Sequence, residues 1–400
     1  MIKVAPAAPA TIRVKVAGAG CAARPRTATA PKTMGSSHRV AQPDQHGNGA
    51  PDHLATVAEL VDERLGRLFA AETERWRTVD PLLGPPLAEL ARFCGEGGKR
   101  IRPAFCYWAF VGAGGDRTDP RLGDVCAALE LLHAFALIHD DVMDGSVTRR
   151  NHDTIHTTFT HTHERSGWRG EARRFGEGVA ILLGDLAFVY ADQLMEGVPA
   201  EADRLYTELR VELTIGQYLD LLGAARGEVD EEGARRIARY KTAKYTIERP
   251  LHLGAALAGR FGELAAGFSA VGLPLGEAFQ LRDDLLGVLG EESVTGKPVG
   301  DDLREGKATP LLAVAVAEVG RRGDGAGQAL LGRVGAPDLR DDEVDALCEL
   351  LVATGAVAEV ERRLTRLVED ARAALEGLPL DGEARVALGE LASYVADRRS

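Results

Sequence analysis

The sequence has few cysteines, and none lies in a spacing typical of a disulfide framework or a zinc cluster. Five are scattered over 400 residues. An odd, scattered set suits a reducing compartment, so we expect a cytoplasmic protein without thiol catalysis. They are Cys21, Cys94, Cys106, Cys126 and Cys348.

Net positive charge and long apolar runs are also lacking. The formal net charge of −12 disfavours a general role on nucleic acid. We find no uninterrupted apolar run of the roughly 20 residues that span a membrane, so we expect no transmembrane segment. Residues 1–53 carry seven Lys/Arg and two Asp but no apolar core of a signal peptide. We interpret them as a disordered basic tail rich in Ala and Pro.

What the sequence does contain is a helical pattern. From residue 54, apolar residues recur every three or four positions and no sustained strand alternation appears. A hydrophobic fraction of 45% is ample for a core. The pattern predicts one all-α domain over 54–400. Helices are predicted at 122–144, 177–196, 203–223, 231–260 and 266–289, and loops at 145–176 and 290–307.

Two acidic clusters stand at the ends of apolar helices. Residues 140–144 read Asp-Asp-Val-Met-Asp, and residues 280–284 read Gln-Leu-Arg-Asp-Asp. The spacing places Asp140 and Asp144 one above the other on one helical face. So many like charges repel unless hard cations such as Mg2+ lie between them. Two such helices facing each other would hold a metal-bound diphosphate.

Basic residues accompany the carboxylates at three places in the chain. Arginine binds two phosphate oxygens with its planar fork, and lysine acts as a point charge. Interleaved with two acidic clusters, such pairs indicate a diphosphate site. The pairs are Lys99 with Arg102, Arg149 with Arg150, and Lys297 with Lys307.

This order of motifs resembles the trans-isoprenyl diphosphate synthases, which form the polyprenyl synthetase family. The resemblance covers most of residues 90–310 and includes Gly98-Lys99, Lys241-Thr242 and residues 300–302 (Gly-Asp-Asp) besides the acidic clusters. It implies a bundle of long antiparallel helices around a central cavity, usually as a homodimer.

The resemblance also implies a role for each matched residue. Asp140, Asp144 and Asp283 would ligate Mg2+, with Asp141 and Asp284 supporting them through bound water; Lys241 joins these five as a catalytic residue. Isopentenyl diphosphate would be held by Lys99, Arg102, His133 and Arg150. The allylic diphosphate would be held by Arg149, Lys241, Thr242, Gln280, Lys297 and Lys307.

The implied reaction is chain elongation. The C–O bond of dimethylallyl, geranyl or farnesyl diphosphate ionises, and the double bond of isopentenyl diphosphate attacks the cation. A proton then leaves to the released diphosphate. One unit charge about 4 Å away contributes roughly 4 kcal/mol at an effective dielectric of 20, so several such contacts remove much of the barrier.

Phe135 bears on the length of the product. It lies five residues before Asp140, about 7.5 Å further along the helix, where a rigid ring would act as a floor. In the family, an aromatic here with a short first motif is associated with geranylgeranyl products, and two adjacent aromatics with farnesyl products. The neighbour here is Ala136. We therefore expect geranylgeranyl diphosphate first and farnesyl diphosphate second, unless Phe135 is ordinary core packing.

The chain departs from the family pattern at two positions. Asn151 follows the arginine pair where the family often has glycine, although asparagine tolerates a positive φ. Gly287 stands where the second acidic motif commonly has a third aspartate. Because glycine cannot ligate, we expect a weaker third metal site.

Other functions fit the residues less well. His133 could be a core residue, and four histidines of the predicted 145–176 loop could bind zinc, although their spacing is mixed. A class I terpene cyclase would need a second motif with Asn, but the chain has only two asparagines, both far from it. A non-catalytic regulatory subunit would usually lose one acidic motif. A metal phosphohydrolase using His139 would need further histidines. The four loop histidines are His152, His156, His161 and His163.

Overall fold

The computed structural model describes residues 51–96, 98–226, 231–290 and 300–397. Over these ranges the chain is helical apart from short connections and one two-stranded hairpin, β1 (Thr148–Arg149) and β2 (His152–Asp153), so the all-α prediction is confirmed. Residues 1–50 of the predicted tail and Lys297 lie outside the described residues, and α1 begins at Asp52. The helices are α1 (Asp52–Arg77), α2 (Gly84–Gly95), α3 (Ile101–Gly112), α4 (Pro120–Asp144), α5 (Ile155–Ser166), α6 (Ala172–Leu194), α7 (Ala200–Arg226), α8 (Glu231–Ile237), a π-helix (Ala238–Glu248), α9 (Arg249–Leu257), α10 (Phe261–Leu289), α11 (Asp301–Glu305), α12 (Pro310–Arg322), α13 (Gly325–Leu331), α14 (Asp341–Ala353), α15 (Ala356–Glu376) and α16 (Gly382–Asp397).

The helices α4 and α10 form the centre of the fold. Asp119 caps α4 by accepting a hydrogen bond from the Arg121 amide at 2.9 Å, and Gly145 ends it at φ 68°. By length and composition alone, both helices are long and apolar enough to cross a membrane. The criterion of an uninterrupted apolar run did not identify them. Between 50% and 61% of their most apolar stretches is buried within the fold, and both carry acidic clusters, so we interpret them as core helices.

The helix predicted over 231–260 is interrupted by a π-helix. This wider turn needs space, and glycines of both flanking helices provide it. A side chain at Gly216 of α7 would lie 2.4 Å from the Lys241 amide nitrogen, and one at Gly276 of α10 would lie 2.4 Å from Ala243 Cα. The π-helix is therefore held closely between α7 and α10, and it carries Lys241 and Thr242.

The prediction of a loop over 145–176 was wrong. The segment contains the hairpin and α5, which packs against α6 with Ile155, His156 and His163 buried. Its helical period was hidden because histidine and threonine, rather than leucine, occupy most of the inward positions. The hairpin turn has φ 52° at Arg150 and 63° at Asn151, so Asn151 adopts the positive φ that asparagine tolerates.

A buried arginine fixes the segment that begins α3. Arg100 is 3% exposed and has φ 50°. Its guanidinium lies 2.7 Å from Glu130 Oε1 and 2.6 Å from Asp62 Oδ1, and it donates to the Cys94 carbonyl at 2.8 Å. Burial opposes the charge, but Glu130 and Asp62 outweigh it and raise the pKa of Arg100. The charge is thus compensated where the chain turns into α3.

Glu130→Gln is expected to destabilise the fold by about 3 kcal/mol, because it leaves part of a buried charge uncompensated. Asp62→Asn is the matched control: it removes the other carboxylate of the same guanidinium, but Asp62 is 53% exposed, so a loss below about 1 kcal/mol is expected. Urea unfolding measures both. Equal losses would contradict the assignment of Glu130 as the dominant partner.

Candidate active site

A cavity of about 350 Å³ lies where α4, α7, the π-helix, α10 and α11 meet. The two acidic clusters, far apart in sequence, both reach it. Eight of the sixteen predicted site residues within the described ranges line it. Its lining includes Asp140, Arg149, Asp220, Lys241, Thr242, Gln280, Asp283, Asp284, Asp302 and Lys307.

In the first cluster, Asp140 pairs with the π-helix. Its Oδ1 lies 3.2 Å from Lys241 Nζ and accepts a hydrogen bond from Gln217 at 2.6 Å. Burial acts to raise the pKa of Asp140, but Lys241 and Lys307 outweigh it and hold that pKa below its usual value. Asp144 differs, because burial and the neighbouring Asp140 carboxylate raise its pKa. The stacked carboxylates therefore repel each other as their spacing predicts.

The third carboxylate of the cluster is turned away from them. Asp141 is 2% exposed and accepts hydrogen bonds from Arg149 at 2.7–3.0 Å. Arg149 ends β1 whereas Arg150 lies in the turn at φ 52°, and Arg150 donates instead to the Glu96 carbonyl at 2.5 Å. The two arginines therefore serve different sides of the site.

The second cluster lies on α10. Asp283 lines the cavity, and Asp284 is 1% exposed and accepts from Gln280 at 2.7 Å. Thr242 donates in turn to Gln280, which connects the cluster to the π-helix. Burial raises the pKa of Asp284 to about 8. Its Oδ2 atom is buried without a hydrogen-bond partner among the described residues.

Two lysines form ion pairs with carboxylates of several elements around the cavity. Lys241 lies 2.6 Å from Asp220 and 3.2 Å from Asp140. Lys307 lies 3.4 Å from Asp144 and 3.5 Å from Asp302, and it also pairs with Glu305. Burial lowers the pKa of each ammonium group, but the carboxylates outweigh it and raise both. Each lysine is thus held charged at the cavity wall.

A second basic site adjoins α3. Arg102 donates to Thr246 at 3.0 Å and stacks on the Tyr245 ring, 4.2 Å from its centroid. His133 Nδ1 lies 3.0 Å from the Tyr245 hydroxyl. Burial first, then Arg102 and Arg150, hold the pKa of His133 well below its usual value. Three of the four residues predicted for isopentenyl diphosphate therefore lie near one another, and Lys99 lies three positions before Arg102.

The residues predicted to set product length lie further along α4. The ring of Phe135 packs 4.8 Å from that of Phe188 on α6 and 4.6 Å from that of His139. Phe135 and Ala136 are partly buried against the core. In the part of the chain that the structure describes, neither lines the 350 Å³ cavity.

Several site residues were not found from the sequence. Gln217 and Asp220 lie one turn apart on α7 and contact Asp140 and Lys241. Their spacing, directly after the close-packing Gly216, was an available signal. Tyr245 gave no signal, because nothing in the sequence shows that a tyrosine of the π-helix connects Arg102 to His133.

The histidines of the hairpin and α5 have separate partners. His156 Nδ1 lies 3.1 Å from Thr154 Oγ1, His161 Nδ1 lies 3.2 Å from Asp153, and His163 Nε2 lies 3.1 Å from the Arg169 carbonyl. Among the described residues no three His, Cys, Asp or Glu side chains are grouped as ligands of one ion. Nothing in this geometry supports the zinc alternative.

The donor atoms at the cavity fit Mg2+. They are oxygens of carboxylates on two facing helices, the ligands that hard cations prefer. The unpartnered Asp284 Oδ2 is a buried oxygen that a hydrated cation would satisfy. Among the described residues these carboxylates are not gathered as three direct ligands of one ion. Asp140, Asp144 and Asp283 would therefore hold a hydrated ion, whose bound waters complete the contacts.

Comparison with known proteins agrees with this geometry. The family model described as "Polyprenyl synthetase" matches residues 87–344. A geranylfarnesyl diphosphate synthase of Aeropyrum pernix is 34% identical over 312 residues, which are 76% of this chain and 91% of that protein. A geranylgeranyl diphosphate synthase of Mycobacterium tuberculosis is 39% identical over 232 residues, 56% of this chain and 61% of that protein.

A solved structure is similar over nearly its whole length. Geranylgeranyl pyrophosphate synthase of Corynebacterium glutamicum, complexed with isoprenyl diphosphate and magnesium, has a TM-score of 0.82 and 37% identity. The match covers 86% of this chain and 99% of that one.

Proposed function

The chain belongs to the polyprenyl synthetase family and is a trans-prenyl diphosphate synthase, and from this premise we propose how its cavity performs the reaction. The observation that carries the proposal is the convergence of both acidic clusters and two partly buried lysines on one 350 Å³ space. An allylic diphosphate fits there because oxygen ligands for a cation and ammonium groups for phosphate lie side by side.

The allylic diphosphate is held by the π-helix and the hairpin. Lys241 and Lys307 exchange part of their carboxylate pairing for phosphate oxygens, and Arg149 faces the same space. Thr242 and Gln280 contribute hydrogen bonds at its edge. Lys297 stays a predicted ligand outside the described residues. These groups stabilise the negative charge that grows on the leaving diphosphate as the C–O bond breaks.

Asp140, Asp144 and Asp283 hold Mg2+ in this proposal, with Asp141 and Asp284 behind them. When bound, the metal neutralises charge on the leaving diphosphate. Asp141 is engaged by Arg149, which suits a supporting role better than direct ligation. The Gln217 amide fixes the Asp140 carboxylate in position.

Isopentenyl diphosphate binds at the second basic site. Arg102 and Arg150 supply charge there, and Lys99 adds a point charge at the start of α3. His133, kept neutral by its surroundings, donates a hydrogen bond rather than a charge. Tyr245 positions both Arg102 and His133. The carbon–carbon bond forms between these two diphosphate sites, and the proton leaves to the released diphosphate.

Geranylgeranyl diphosphate is the proposed main product and farnesyl diphosphate the second. The paired rings of Phe135 and Phe188 support this, because they would form a rigid floor for a product tail that extends along α4 beyond the aspartates. The small Ala136 beside them adds no second ring. The cytoplasm remains the proposed location.

The proposed assembly is a homodimer through α6 and α7. Apolar side chains 49–67% exposed recur at helical spacing on both helices, with Leu182 and Val189 on α6 and Val211, Ile215 and Tyr218 on α7. An ion pair between Arg210 and Asp192 joins the two helices beside them. A second copy of the chain is the proposed occupant, since two such stripes form one self-complementary face.

Asp140→Ala and Asp144→Ala are each expected to lower turnover by roughly two orders of magnitude or more, because each removes a proposed metal ligand. Product formation from isopentenyl diphosphate, geranyl diphosphate and Mg2+ measures it, with circular dichroism to verify the fold. Asp124→Ala removes an aspartate of the same helix that pairs with Arg64, and it should retain activity. Near-normal turnover in folded Asp140→Ala would refute the proposal.

Phe135→Ala should shift products beyond twenty carbons, because it deepens the path along α4. Ala136→Phe should shorten them. Mass spectrometry of the dephosphorylated products measures both. Phe159→Ala, which removes a partly buried ring on α5, is the control and should leave product length unchanged. If both variants keep activity and the wild-type distribution, other residues form the floor.

Leu182→Glu and Ile215→Glu should dissociate the dimer, since each places a charge within the apolar face. Sedimentation velocity measures the change in mass. Val386→Glu is the matched control, because Val386 is 57% exposed on α16 and lies outside that face. A wild-type chain that sediments as a monomer would contradict the proposed assembly.

A further inference from the structure

We propose that Asp302 supplies the third carboxylate of the second acidic cluster and that Gly287 makes room for it. The inference rests on the proposed function, because it concerns the Mg2+ that the cavity holds with a diphosphate. It replaces the expectation that a glycine at position 287 leaves the third metal site weak.

The space beside Gly287 is already taken by a carboxylate. A Cβ atom built on Gly287 would lie 2.3 Å from Asp302 Oδ2 and 2.9 Å from Asp302 Cγ. Distances this short do not occur between real side chains, so an aspartate at 287 would displace the Asp302 carboxylate from its present place. The carboxylate beside this turn of α10 therefore comes from α11 instead of α10.

The backbone holds α11 in the position that this requires. The Gly300 amide donates to the Gly287 carbonyl at 3.2 Å, and Gly300 has φ 74°, a conformation suited to glycine. From the other side, the Gly335 amide donates to the Leu303 carbonyl at 2.9 Å. Leu303 is 3% exposed. Asp302 is thus presented at Gly287 by an anchored backbone rather than by a chance side-chain conformation.

Charges and hydrogen bonds connect Asp302 to the rest of the site. Lys307 Nζ lies 3.5 Å from Asp302 and 3.4 Å from Asp144, so one cation connects Asp302 to the first cluster. Asp284, which lines the same cavity, has a buried Oδ2 without a hydrogen-bond partner among the described residues. Asp140 of α4, Asp284 of α10 and Asp302 of α11 line the same cavity, which suits a hydrated Mg2+.

The competing interpretation is that Asp302 only pairs with Lys307. In that case, loss of the Asp302 carboxylate would change the stability of the fold or the pairing of Lys307, but it would leave the Mg2+ requirement unchanged. An exchange of the carboxylate between the two positions separates these interpretations. In Gly287→Asp with Asp302→Ala, the carboxylate returns to α10, and the space that it needs is free.

The test is a Mg2+ titration of the full chain in the presence of inorganic diphosphate, followed by melting temperature and by calorimetry. Asp302→Ala should raise the Mg2+ concentration at half-saturation roughly 10- to 100-fold, the range typical of groups that support metal ligands. Gly287→Asp alone should also weaken binding, because two carboxylates compete for one space. The double variant should recover most of the affinity. Asp341→Asn is the control. It removes the exposed carboxylate that pairs with Arg304 of α11, and it should leave the Mg2+ affinity unchanged.

Two results would overturn the inference. One is an unchanged Mg2+ midpoint in folded Asp302→Ala, and the other is a double variant that binds no tighter than Asp302→Ala. If the wild-type chain shows no Mg2+-dependent stabilisation with diphosphate and makes no prenyl product, the proposed function itself fails. Failure of the proposed function can be distinguished from failure of the Asp302 inference, because it would already be seen in the unsubstituted chain.

Discussion

The fold has to hold several carboxylates close together in a largely buried cavity. Two unit charges about 4 Å apart interact by roughly 4 kcal/mol at an effective dielectric of 20, so the uncompensated cluster would be strongly unfavourable. Lys241 and Lys307 provide the compensation, while burial first, and then the neighbouring Asp140 carboxylate, raise the pKa of Asp144. A Mg2+–diphosphate complex would suit such a site. The ion would supply further positive charge to the carboxylates, and the diphosphate oxygens would accept hydrogen bonds from the ammonium groups.

The surrounding structure follows from this requirement. Lys241 reaches Asp140 because a π-helix carries it, and that π-helix fits because glycines of α7 and α10 allow its backbone to approach. Arg149 and Arg150 face different sides because Arg149 ends β1 and Arg150 lies in the hairpin turn that follows it. Gly287 lies against the Asp302 carboxylate, and Gly216 lies against the Lys241 backbone. In both places a glycine on one helix leaves room for a group from another element.

The sequence was sufficient where chemistry and periodicity agree. Asp140 and Asp283 were predicted because carboxylates at the ends of apolar helices are costly and therefore informative, and both line the cavity. Asp144 was predicted on the same ground and pairs with the cavity-lining Lys307. The sequence was insufficient where a role depends on tertiary approach. Asp220 shares Lys241 with Asp140, and nothing local to either residue reveals that contact. The π-helix and α5 were missed for the same reason, since packing against neighbours decides them rather than the apolar period.

The central claim is that both acidic clusters hold one metal–diphosphate complex. The most direct test is a crystal structure of the full chain with Mn2+ and a non-reactive thio analogue of an allylic diphosphate, with the metal located by anomalous diffraction. We predict anomalous peaks within coordination distance of Asp140, Asp144 and Asp283, with the diphosphate between them and Lys241. A diphosphate bound outside this cavity, or metal on one cluster alone with the diphosphate present, would contradict the account.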